Sequence, residues 1–203
     1  MLNVALVQPE IPANTGNVGR TCVIAGARLH LVAPGFDLGE RAVRRAGQAY
    51  WQSLDVRTYG SWEEFLDANP QVREALVAGP GNKGGAVPGV HLLTKAGATR
   101  YADARFSDGD WLAFGRESTG LPAELIAAHP GLCLRIPMRS DSALVNAPVW
   151  HREHDALHPE LARDICGNYV DPRAGTVMSL NLSNAVALVL YEALRQTGFA
   201  GLE

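Results

Sequence analysis

The chain opens on a short apolar run, Leu2-Asn3-Val4-Ala5-Leu6-Val7. It breaks at Pro9 into Glu10-Ile11-Pro12-Ala13-Asn14-Thr15-Gly16-Asn17-Val18-Gly19-Arg20-Thr21-Cys22. Nothing else in the sequence constrains the fold as strongly. A buried strand that turns through polar residues into a helical pattern over 17–27 is a building block of an open α/β sheet. Short apolar segments bounded by Gly, Pro, Asn or Asp recur at 29–32, 74–78, 110–114 and 132–136 and read as further strands. Helical patterns lie at 40–46 and 61–68, where Ser61 and Glu64 have the spacing of a capping box. A last helix spans 182–197 and stops at Gly198. The alternation predicts an α/β fold with a mostly parallel sheet and helices on both faces.

At 203 residues the chain fits one domain with a full core, and its 47% hydrophobic content excludes wholesale disorder. The net charge of −3 argues against non-specific coating of nucleic acid, which needs an excess of Lys and Arg, but allows a local basic patch. The start shows no basic leader with a signal-type apolar run, and the apolar stretch 185–190 is too short to span a bilayer. The three cysteines, Cys22, Cys133 and Cys166, are odd in number and widely spread, so the expected compartment is the reducing cytoplasm. Two segments fit the alternation less well. Residues 79–108 are rich in Gly and Pro, carry Lys83, Lys95, Arg100 and Arg105, and suggest one short helix near 91–96. Residues 139–177 contain three prolines and three histidines without clean periodicity.

Polar residues crowd three places that follow strands. Asn14, Thr15, Gly16 and Asn17 follow the first, and Arg20 lies less than two helical turns beyond Asn14. Phe114-Gly115-Arg116-Glu117-Ser118-Thr119-Gly120-Leu121-Pro122 follows the fourth, where Gly115 would let a ligand approach the backbone. An ordinary turn with an Arg116–Glu117 ion pair facing solvent is the plain alternative. Ile136-Pro137-Met138 follows the fifth, and Ser179, Asn181, Ser183 and Asn184 gather at the start of the last helix, more polar groups than one cap requires. No dinucleotide fingerprint, Walker loop or nucleophile elbow occurs. Arg41, Arg44 and Arg45 form the densest basic cluster, with Tyr50 and Trp51 close behind, a composition that suits single-stranded RNA. A solvated helix face with Trp51 in the core is the alternative. His151, His154 and His158 have a spacing compatible with metal ligands, but no second Cys or His group completes a site, and no metal is expected.

Together these stretches resemble the SPOUT-class RNA 2′-O-methyltransferases. They are most similar to the branch that methylates the wobble nucleotide of tRNA, the tRNA (cytidine/uridine-2′-O)-methyltransferases or TrmL branch. "PEIPANTGNVGRTC" resembles that branch's first motif, "RRAGQAYW" its "RRAGLDY" segment and "FGRESTGLP" its "FGPETRGLP". "LRIPM" with "SLNLSNAVALVLYEALRQTGF" resembles its third motif. The resemblance implies a C-terminal deep trefoil knot, S-adenosyl-L-methionine as cofactor with S-adenosyl-L-homocysteine as product, tRNA as partner and an obligate homodimer. It implies cofactor contacts at Val77, Ala78, Gly79, Gly115, Glu117, Ile136, Met138, Ser179 and Leu180. It places Arg20, Asn14, Glu117, Ser179 and Asn181 at the catalytic cleft. RNA would be held by Arg20, Arg41, Arg44, Arg45 and Tyr191, although helix periodicity alone would put Tyr191 in the core or a dimer interface. A guanidinium stays protonated, so Arg20 suits stabilising a developing alkoxide or clamping phosphate better than taking a proton.

The chain departs from the branch pattern in two ways. It reads as one SPOUT domain with long insertions at about 79–108 and 139–177. It also has Arg116 in place of Pro, and Ser118-Thr119 in place of Thr-Arg. Another tRNA position, rRNA, or a binding module without catalysis are the alternatives for function.

Overall fold

The computed structural model describes residues 1–37, 48–81, 87–138 and 179–203, with the backbone of three short strands between 162 and 177. Strands β1 (Asn3–Val7), β2 (Arg28–Val32), β3 (Val56–Tyr59), β4 (Val90–Leu93), β5 (Thr99–Arg100), β6 (Trp111–Phe114) and β7 (Cys133–Arg135) form one sheet. Their order is β3-β2-β1-β6-β4-β7-β5, and every pairing is parallel. The expected sheet is therefore present, entirely parallel. Strands β8 (Ala162–Arg163), β9 (Tyr169–Asp171) and β10 (Thr176–Val177) pair antiparallel in a separate small sheet. The chain builds outward from β1 through β2 to β3, then crosses to the other half, where β4 and β5 are laid down first, β6 enters between β1 and β4, and β7 enters between β4 and β5. That reversal, between β1 and β6, is the switch point at which open α/β sheets bind ligands.

Alternation along the strands divides the core into two layers. Val4 and Leu6 pack on one face with Val18 and Cys22 of α1 (Pro12–Ala25) and with Val186, Val189 and Leu190 of the last helix. Ala5 and Val7 pack on the other with Phe65 of α2 (Trp62–Ala68) and Val72, Ala75 and Leu76 of α3 (Pro70–Ala78). The short helix α4 (Ala123–Ala128) follows β6, and α5 (Leu182–Gln196) closes the domain. Ser61 caps α2 by accepting from the Glu64 amide at 3.0 Å, while Glu64 Oε2 accepts from the Gly60 amide, one residue earlier than in a reciprocal capping box.

Three expectations are corrected. Residues 74–78 are the end of α3, not a strand: Pro70 opens a helix whose Val72, Ala75 and Leu76 are spaced to bury one face. Residues 91–96 do not form a helix. Val90–Leu93 is β4, a central strand with β6 and β7 as neighbours, so the 79–108 stretch contributes to the sheet rather than leaving it. Helix α1 begins at Pro12, not Asn17, because proline at the first turn is already set for helix. Asn14 is thus a helical residue. The 40–46 helix lies outside the described residues, as does most of the chain between Met138 and Ser179, on whose path the implied trefoil knot depends.

Strand β2 carries a fully buried His30. Asn3 donates through Nδ2 to the Gly109 carbonyl, which leaves its Oδ1 to accept from His30 Nε2 at 3.3 Å. His30 Nδ1 then accepts from the Tyr59 hydroxyl at 2.9 Å, and Tyr59 accepts from Asn69 Nδ2. This order satisfies every member only with a neutral imidazole. Burial pushes its pKa down to about 3 from 6.5. Below about pH 6.5 the unfolded chain takes up a proton that the native ring refuses, so stability falls as the pH drops. Between pH 7 and 5 this group is expected to remove about 2 kcal/mol. Urea unfolding at the two pH values should show the loss, and a His30→Gln variant should lack it; an equal loss in the variant overturns the assignment.

Candidate active site

The carboxyl ends of β4, β6 and β7 and the start of α5 surround a cavity of about 210 Å³. Leu93, Phe114, Ile136, Leu180 and Leu182 supply apolar wall, and Asn14, Gly115, Glu117, Ser179 and Asn181 supply polar edges. Segments far apart in sequence meet here, at the switch point of the sheet.

One carboxylate joins two of these segments directly. Glu117 lies in the loop after β6, and its oxygens accept from the Glu10 amide at 2.8 Å, the Ile11 amide at 3.3 Å and Asn14 Nδ2 at 3.1 Å. Helix α1 lacks a capping side chain of its own at Ile11, and Glu117 satisfies the entry to α1 from the loop after the neighbouring strand. Glu10 reciprocates, accepting from the Ser118 amide and hydroxyl at 3.1 and 2.9 Å. The network then passes to α5. Asn181 Nδ2 donates to Asn14 Oδ1 at 2.9 Å, and Asn181 Oδ1 caps α5 by accepting from Ser183 N and Oγ at 2.9 and 2.7 Å. Burial raises the Glu117 pKa, while the donors at Glu10 and Asn14 pull it down. Both oxygens are occupied, so this carboxylate positions the site and is a poor acceptor for a substrate proton.

Gly115 is required for a reason different from the expected one. A Cβ there would stand 2.0 Å from the Gly120 carbonyl carbon and the Leu121 nitrogen. Its own loop fills the space, because Arg116 and Gly120 exchange backbone hydrogen bonds at 3.0 Å. Arg116 and Glu117 do not form a solvent-facing ion pair: Arg116 Nε donates to Gln8 Oε1 at 2.8 Å, and Glu117 turns to α1. Burial drives the Cys22 thiol up to about 12, which removes it as a nucleophile.

Of the expected residues, Asn14, Gly115, Glu117, Ile136, Met138, Ser179, Leu180 and Asn181 line the cavity. Val77, Ala78 and Gly79 do not. They lie at the end of α3, where Val77 is 84% exposed, and Leu93 at the end of β4 with Thr94 and Lys95 after it take their place in the wall. The sequence held a signal for these: Val90-His91-Leu92-Leu93 is a short apolar run after Gly89, followed by polar Thr94-Lys95 and Gly97. Arg20 is exposed and outside the wall, its guanidinium 4.9 Å from the Tyr50 ring centre. Trp51 packs against Gly19 of α1, and Tyr191 is 41% exposed on α5, not core. Arg41, Arg44 and Arg45 lie outside the described residues, as do His151, His154, His158 and Cys166. Among the described residues no cluster of His, Cys, Asp or Glu could hold a metal ion.

A parallel sheet with this cavity beyond its carboxyl ends, built from loops after β1, β4, β6 and β7 and from the start of α5, is the architecture of the SPOUT methyltransferases. A solved structure concerned with 2′-OH methylation of C/U34 on tRNA superposes with a TM-score of 0.66 at 34% identity over 97% of this chain and 95% of that one. The SpoU methyltransferase AviRb of Streptomyces viridochromogenes, in complex with AdoMet, shares the fold at a TM-score of 0.67 and 21% identity, over 97% of this chain and 60% of that one. The SpoU rRNA Methylase family model matches residues 1–149, and the chain belongs to that family. It is 36% identical over 203 residues to the tRNA (cytidine(34)-2′-O)-methyltransferase of Burkholderia cenocepacia, covering 99% of each chain. The Aeromonas hydrophila protein of the same name is 35% identical, over 99% of this chain and 97% of its own. The 139–177 stretch lies inside both matched spans.

Proposed function

We propose that this chain is an S-adenosylmethionine-dependent tRNA 2′-O-methyltransferase that acts on the wobble nucleotide, position 34. The observation that carries the proposal is the convergence of Asn14, Glu117 and Asn181 on one cavity, in a chain 36% identical over its length to an enzyme named for that reaction. The cavity suits the cofactor. Its apolar wall fits an adenine ring and a thioether-type chain, and its one carboxylate is turned away into hydrogen bonds with α1. Leu93, Thr94, Gly115, Ile136, Met138, Ser179 and Leu180 would hold it. When bound, S-adenosylmethionine supplies an electrophilic methyl group that a ribose 2′-oxygen can accept, leaving S-adenosyl-L-homocysteine.

The protein's own part is positioning and electrostatics. The Glu117–Asn14–Asn181 chain fixes the cavity edge before substrate arrives, so alignment of hydroxyl and methyl group is obtained without reorganisation. Arg20 offers a permanent cation for the oxygen as it loses its proton or for a neighbouring phosphate. Since Arg20 stands outside the cavity of its own chain, we infer that the enzyme works as a homodimer in which each protomer lends Arg20 to the other's cavity. A tRNA substrate puts the working enzyme in the cytoplasm.

Incubation with labelled cofactor and bulk tRNA is expected to transfer label, and mapping should place the methyl group on the ribose of nucleotide 34. Label at another tRNA position or on rRNA overturns the target. No transfer to any RNA, with cofactor still bound, overturns the enzyme in favour of a binding module.

A further inference from the structure

Two cations on the cavity wall are left over by the network described above. Arg116, Lys95 and Glu117 are the charged residues of the wall, and Glu117 is committed to α1. Arg116 is held in two ways. Its backbone pairs with Gly120, and its Nε donates to Gln8 Oε1 at 2.8 Å. Gln8 is itself anchored at the end of β1, its amide donating to the Val32 carbonyl at 2.7 Å. The two Nη groups of Arg116 have no partner among the described residues, so a guanidinium fixed at one edge presents four N–H donors.

The backbone turn that carries Lys95 is also firmly placed. Thr94 N donates to the Leu134 carbonyl at 2.9 Å, Ala96 N donates to Thr94 Oγ1 at 3.3 Å, and Arg135 Nη1 donates to the Gly97 carbonyl at 2.8 Å. A Cβ on Gly97 would lie 2.5 Å from the Leu134 carbonyl carbon, so the turn bearing Lys95 is pressed onto β7 and cannot shift inward. The Lys95 side chain is exposed and makes no ion pair among the described residues.

We propose that Arg116 and Lys95 form an oxyanion-binding pair that grips a phosphate of the RNA substrate beside the reacting ribose. This rests on the methyltransferase reading. A ribose methylated at its 2′-oxygen carries a phosphodiester on the adjacent 3′-oxygen, so productive docking brings a phosphate to the mouth of the cavity. A planar fork with its outer edge open takes phosphate oxygens bidentately, and an ammonium on the same cavity wall adds a point charge. The carboxylate of the cofactor's methionine portion offers the same chemistry and is the alternative occupant.

The test separates the two. Binding of tRNA is measured for the wild type, Arg116→Gln, Lys95→Gln and Arg116→Lys between about 50 and 300 mM salt, and S-adenosylhomocysteine binding by calorimetry. Arg116→Gln and Lys95→Gln are each expected to weaken tRNA binding roughly tenfold and to lower the slope of log K against log salt by about 0.7–0.9. The affinity for S-adenosylhomocysteine should stay within about twofold, since no cofactor contact is removed. Arg116→Lys, which keeps the charge, should retain the wild-type slope and shows that the loop still folds. An unchanged slope in Arg116→Gln overturns the pair. A fall in S-adenosylhomocysteine affinity with unchanged tRNA binding overturns it in favour of the carboxylate. A wild type that transfers no methyl group to RNA sinks the methyltransferase reading instead.

Discussion

Replacing Glu117 with alanine is expected to destabilise the protein by about 2–4 kcal/mol and to weaken cofactor binding at least tenfold, because three donors lose one acceptor together. The amides of Glu10 and Ile11 and the side chain of Asn14 all point to its carboxylate in a partly buried place. Each donor stranded there costs about 1–3 kcal/mol, less whatever water can enter and satisfy. The damage extends further. Asn14, released at Nδ2, no longer presents Oδ1 to Asn181 in a fixed direction, and Asn181 is the cap of α5. Glu117→Gln keeps one acceptor oxygen but turns an amide N–H₂ toward donors, so its loss should fall between the wild type and Glu117→Ala. Chemical unfolding and calorimetric titration with S-adenosylhomocysteine measure the two effects. A Glu117→Ala protein within about 0.5 kcal/mol of the wild type, with unchanged affinity, would show that the carboxylate does not hold the loops together.

The difference between what was legible in the sequence and what was not follows the range of the interactions involved. Strands at β1, β2, β6 and β7 are short apolar runs with polar punctuation, a local signal that neighbours in space only reinforce. Asn14, Gly115, Glu117 and Asn181 could be singled out because polar residues after a strand are conspicuous. The strand β4 was misread since Val90–Leu93 lies among glycines and prolines; only its flanking partners β6 and β7 make it a central strand. With β4 went its loop, and Leu93, Thr94 and Lys95 were missed in favour of Val77, Ala78 and Gly79. Conversely, Leu76-Val77-Ala78 looks like a strand end, while burial of Val72, Ala75 and Leu76 along one side makes it a helix. The capping of α1 by a residue 106 positions away from Ile11 has no local signature at all. Its two halves, an uncapped Pro12 helix and a glutamate after a strand, are each unremarkable alone.

Replacing Arg20 with alanine is expected to lower kcat for tRNA methylation about 100- to 1,000-fold, the range seen when one stabilising donor is removed from a developing oxyanion. Folding and cofactor binding should not follow, because the side chain is exposed and its only described contact is the stacking on Tyr50. Surface changes of that kind stay within about 0.5 kcal/mol. Arg20→Lys keeps the cation but loses the planar fork, so it should recover part of the rate and less of the tRNA affinity. Co-expression decides which cavity the residue serves. An Arg20→Ala chain retains an intact Asn14–Asn181 edge, and an Asn181→Ala chain retains Arg20. If Arg20 acts across a dimer, each mixed pair regains one working site out of two, and random pairing should return about a quarter of wild-type activity. If the residue acts in its own chain, no mixed pair contains a complete site and activity stays at the level of the single variants. A return to about a quarter from two inactive chains could come only from a site shared between protomers, and it would explain why an arginine outside one cavity is needed for chemistry within another.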